Sequence, residues 1–112
     1  MVNTDAPKTV RKFNDVLDAL LVSFGTSFDR TGMLSPSEAT QETWYRAGRD
    51  MKIAYLPPGT HHSQISVPSI HVRIYHEEWR ERVEEIYRRH GLTPEITDHD
   101  LFGKIDIDAN LS

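Results

Sequence analysis

Apolar residues recur at every third or fourth position between residues 8 and 24. Val10, Phe13, Leu17, Leu20, Leu21 and Phe24 form one stripe, and Arg11, Lys12, Asn14, Asp15 and Asp18 fill the other side. That spacing predicts an amphipathic helix, which Gly25 ends. Ser35, Pro36, Ser37 and Glu38 then form a helix start, with a capping serine, a proline in the first turn and a glutamate that reaches back. A second helix is expected from there to about Asp50, with Trp44, Ala47 and Met51 on one side. From Lys52 the period drops to two. Ile53 and Tyr55 alternate with Lys52 and Ala54 until Pro57, Pro58 and Gly59 end the strand. Ile65 and Val67, then Ile70, Val72 and Ile74 alternating with His71, Arg73 and Tyr75, predict a bent strand or two strands with one apolar face. A third helix carries Trp79, Val83, Ile86 and Tyr87 on its stripe, acids at its amino end, Arg88 and Arg89 at its carboxyl end, and Gly91 as the stop. Leu92 to Thr97, which includes Pro94, fits a short or edge strand. Leu101, Phe102, Ile105 and Ile107 fit a closing strand with Asp106 and Asp108 facing out.

The predicted order is helix, helix, strand, strand, helix, strand. It implies one α+β domain over residues 1–112, with two N-terminal helices followed by a small mixed sheet with one crossover helix. If the strands flanking that helix are parallel, the crossover should be right-handed. Met1 to Ala6 and Asn110 to Ser112 are expected to be loose.

Composition narrows the chemistry. The chain has 112 residues and no cysteine, which excludes disulfides, thiolate metal sites and a cysteine nucleophile. A cytoplasmic setting is expected, since no stretch is apolar enough to span a membrane and the first residues lack the order of a signal peptide. The formal net charge of -4 is unevenly placed. Residues 93–112 hold Glu95, Asp98, Asp100, Asp106 and Asp108 against Lys104 alone, so the remainder is balanced. Without a broad basic surface, nucleic acid is not an expected partner.

Four of the six histidines, His61, His62, His71 and His76, fall within sixteen residues. Imidazoles with carboxylates such as Glu77, Asp98 or Asp100 suit zinc or another divalent metal. Strand parity places His71 with Arg73 and Tyr75, and His76 on the other face if the strand continues, so the four are not simple neighbours. The run Thr60, His61, His62, then Val67, Pro68, Ser69, Ile70, His71 and His76 resembles the metal finger of HNH-type nucleases. The resemblance implies His61 or His62 as general base, and the other of that pair with His71 and His76 as metal ligands.

A second constellation is Asp98, His99 and Asp100 with Asp106 and Asp108. Such carboxylates either keep an exposed strand from pairing or offer an acidic patch to a basic partner. No phosphate-cradling loop, serine elbow or complete catalytic set is present. The expected function is therefore non-enzymatic, without a cofactor: a small accessory or regulatory protein, of the inhibitor, immunity or phage-accessory kind. It would bind another protein through Asp98, Asp100, Asp106 and Asp108 and the loop from Pro57 to Val67. A metal-dependent hydrolase or nuclease built on the histidines, and a homo-oligomeric structural subunit, are the alternatives.

Overall fold

The computed structural model describes residues 5–29, 33–59, 67–99 and 103–112. Helix α1 covers Asp5–Phe24. It buries Val10, Phe13, Val16, Leu17 and Leu20 and leaves Arg11, Asp15 and Asp18 exposed, as the period of its sequence requires. On its flank the Asn14 side-chain amide grips both backbone groups of Leu34. Its Nδ2 donates to the Leu34 carbonyl and its Oδ1 accepts from the Leu34 N–H, each at 2.9 Å.

The expected second helix is not formed, and this corrects the predicted architecture. The helix start is real as far as it goes: the Ser35 N–H donates to Glu38 Oε1 at 3.1 Å and a 3-10 turn covers Pro36–Thr40. Beyond it the chain extends into strand β1, Thr43–Ala47, whose residues alternate buried and exposed. The spacing of Trp44, Ala47 and Met51 suggested a helix, but Thr43, Tyr45 and Ala47 obey a period of two and β-branched and aromatic residues favour the pleated surface. Gly48, at φ 68°, turns the chain through Asp50 into β2, Met51–Leu56, so that Ala47 faces Met51 across a hairpin.

Strand β3 runs Ser69–Ile74, α2 Arg80–Arg89 after a 3-10 turn at Glu77–Trp79, β4 Glu95–His99 and β5 Lys104–Asn110. The five strands lie in the order β1-β2-β3-β5-β4, and each neighbouring pair is antiparallel. The sheet is therefore antiparallel and not mixed. Helix α2 carries the chain past the position of β5 to the far edge, and β5 returns between β4 and β3. Its end is a full helix stop: the Gly91 N–H donates to the Arg88 carbonyl and the Leu92 N–H to the Tyr87 carbonyl, with Gly91 at φ 75°. The carboxyl end of the chain is not loose, since Leu111 is buried and its N–H donates to the Pro68 carbonyl at 2.8 Å.

Both helices pack on one face of the sheet. Tyr45, Ile53, Val72 and Ile107 share a row across four strands on that face, and they join Phe13, Leu17, Val83 and Tyr87 in one core. Each such side chain contributes about 1.5–3 kcal/mol on burial. The Phe13 ring meets Tyr55 edge-on at 5.4 Å and Tyr45 at 5.8 Å, so the helix is keyed to the hairpin through aromatic contacts. Among the described residues no helix is long and apolar enough to cross a membrane.

Candidate functional site

Strand parity sends the alternate residues to the opposite face of the sheet, where chemistry-bearing side chains collect. One row across the strands reads Trp44, Ala54, His71, Asp108, Glu95, and the next reads Arg46, Lys52, Arg73, Asp106, Thr97. Because β5 is inserted beside β3, His71 stands directly opposite Asp108 and Arg73 directly opposite Asp106.

Asp106 is the hub. Only 7% of it is exposed, although it lies on the face away from the helices. Its Oδ1 accepts from Arg73 Nε at 2.7 Å, and its Oδ2 accepts from Arg73 Nη2 at 3.2 Å and from His99 Nε2 at 2.9 Å. A forked guanidinium is the geometry that matches a carboxylate best. His71 donates through Nδ1 to Asp108 Oδ1 at 2.5 Å and holds its Nε2 3.8 Å from Asp106 Oδ1. Burial alone would raise the pKa of Asp106. The Arg73 hydrogen bond, the His71 charge and the His99 bond together outweigh it and hold the carboxylate below its ordinary value. The same bond to Asp106 raises Arg73, against a smaller desolvation effect.

At the edge of this network the Trp44 ring meets the His71 ring at 5.5 Å, edge-on. The two residues lie on strands separated by β2, and the residue between them is Ala54, which is fully buried. A small side chain there lets the rings meet above it. Trp44 remains 37% exposed.

The network is tied to the core from below. Tyr87 of α2 donates its buried hydroxyl to the Ile107 carbonyl at 2.7 Å, between Asp106 and Asp108 in sequence. Burial first, and the Asp108 charge second, push this phenol well above its ordinary pKa.

The residues singled out from sequence are dispersed. Asp106 and Asp108 come together, but as partners of Arg73, His71 and His99 and not as an open acidic patch. Asp98 is exposed on β4 at the edge of the sheet and lies opposite Ile105, on the helix side. His71 belongs to the network, whereas His76 sits beyond the end of β3, with Nε2 3.4 Å from Asp50 Oδ2 and its ring 4.4 Å from that of Trp79. His61, His62 and Asp100 lie outside the described residues, as does the loop from 60 to 66. Among the described residues no group of three histidine or acidic side chains is arranged to hold a metal ion. Arg73 and Trp44 carried no sequence signal as site residues, since their roles come from strand pairing that local periodicity does not encode. Comparison with protein-family profiles, curated proteins and solved structures returns no match for this chain.

Proposed function

We propose that this chain is a small protein-binding accessory or regulatory domain that recognises its partner with the sheet face opposite the helices. The observation that supports this reading is the exposed Trp44 ring beside a fixed network of charged side chains. A half-exposed tryptophan framed by hydrogen-bonded charges has the makeup of an interface anchor, because the ring supplies apolar area and the network holds its neighbours in place without further ordering. Asp106 is already neutralised by Arg73. The charges this face still turns to solvent are Glu95 and the His71-bound, 36% exposed Asp108 carboxylate on the β4 and β5 side, and Lys52 and Arg46 on the β2 and β1 side. Such a face fits a partner of mixed charge, with donors over β4 and β5, better than a uniformly basic one.

The reading is tested by affinity capture from native lysate with three forms of the chain. Trp44→Ala and Asp108→Lys should each lose the captured protein, whereas Arg88→Ala, on the exposed side of α2, should retain it. Retention by both face variants, with unchanged circular dichroism, would refute the assignment of the face.

A further inference from the structure

A cleft of about 340 Å³ lies at the opposite end of α1 from its start, between the last turn of that helix, the β1–β2 turn and Trp79. Its floor is Ala47 and Met51, both buried, and the rings of Phe24 and Trp79, packed on each other at 5.2 Å and inclined at 58°, form one wall. An aromatic wall over an apolar floor favours a flat, apolar group, and the volume is enough for a single ring with a short substituent.

The rim decides the charge of that substituent. Asp50 and Arg49 both line the cleft. The Asp50 carboxylate is already met by His76, at 3.4 Å. Arg49 is exposed and, among the described residues, has no ion-pair or hydrogen-bond partner. The carboxyl end of α1 would by itself disfavour an anion. That end is offset, because Arg82 lies 4.7 Å over the Phe24 ring and donates to the Ser23 carbonyl at 3.4 Å. The rim thus offers one engaged carboxylate and one unengaged guanidinium, and guanidinium matches carboxylate as a two-pronged donor.

We propose that this cleft binds an aromatic ring carrying a carboxylate, with the ring against Phe24 and Trp79 and the carboxylate on Arg49. Two sources share that chemistry: a free aromatic acid, and the carboxyl-terminal aromatic residue of a peptide. The site is on a different part of the surface from Trp44 and His71 and stands independently of the function proposed for the sheet face.

The chain has two tryptophans, so Trp44→Phe leaves Trp79 as the only indole and makes its fluorescence a direct reporter of the cleft. Titration of that variant with 3-phenylpropionate, 3-phenylpropylamine, a tripeptide ending in Phe and the amide of the same tripeptide separates the cases. Saturable change with the free acid or with the acid peptide is expected, and the tighter of the two identifies the source. The amine and the peptide amide should bind about two- to fivefold more weakly, the weight of one rim ion pair, and Arg49→Gln should remove that preference. No saturable change with either carboxylate up to roughly 10 mM, equal binding of the amine, or an unaltered preference in Arg49→Gln would each overturn the proposal.

Discussion

Replacing Arg73 with alanine removes two of the three hydrogen bonds received by the Asp106 carboxylate, leaving His99 as its remaining donor. A hydrogen bond to a charged group is worth about 1.5–3 kcal/mol, and breaking a fully buried pair costs about 3–5 kcal/mol. The present pair falls below that upper range for two reasons: the Arg73 side chain is 26% exposed, so water enters when it is removed, and His99 stays in place. The expected loss is about 2–3 kcal/mol at pH 7, a fall in Tm of roughly 8–12 °C for a domain of this size. The loss should depend on pH with a definite sign. In the native chain the folded pKa of Asp106 lies below its ordinary 3.8, so its contribution is fully present above that value and is lost as pH falls through the folded pKa. Without Arg73, the burial that raises this pKa meets less opposition, and protonation then relieves the buried charge. The difference between the two proteins should therefore be largest near neutrality and shrink as pH approaches 3. Urea denaturation at a series of pH values measures it. A difference under about 0.5 kcal/mol at pH 7, or one that grows in acid, would refute the reasoning.

Two further outcomes follow from other parts of the fold. Tyr87→Phe should cost about 1–2 kcal/mol, since the Ile107 carbonyl loses a buried donor. Its pH profile should also flatten in alkali: the raised folded pKa of Tyr87 means that the native chain loses stability above the ordinary value of 10.0, and the variant lacks that loss. Gly48→Ala should destabilise by roughly 1 kcal/mol through its positive φ alone, because no atom lies within 4 Å of the added methyl group; thermal melts of the pair check this.

The two helices that form were legible because their stripes persist through Val10 to Leu20 and Trp79 to Tyr87, long enough for the helical period to be unambiguous. The hairpin was not, because five residues from Thr43 to Ala47 satisfy both periods. The capping box upstream then favoured the wrong one, and pairing with β2 and packing on Phe13 settle it in the folded chain. At the site, the alternation of His71 with Arg73 and of Asp106 with Asp108 was readable strand by strand. Their apposition was not, since it depends on β5 entering between β3 and β4 and so on contacts 33 and 37 residues apart. Ala54 shows the same limit, because a small residue in a strand acquires meaning only when rings stand on both sides of it.

Asp29 occupies a modest place beside β1, yet it bears on how copies of this molecule can associate. Its N–H donates to the Arg46 carbonyl at 2.9 Å and its Oδ1 accepts from the Arg46 N–H at 3.0 Å, so the outward backbone groups of that residue are already taken. Head-to-tail growth of a filament through sheet edges needs two free edges on each copy, and here Asp29 occupies the β1 edge at Arg46. A strand added at the β1 edge would first have to displace Asp29 from Arg46, whereas pairing through the β4 edge alone would join two copies about a twofold axis and stop at a pair.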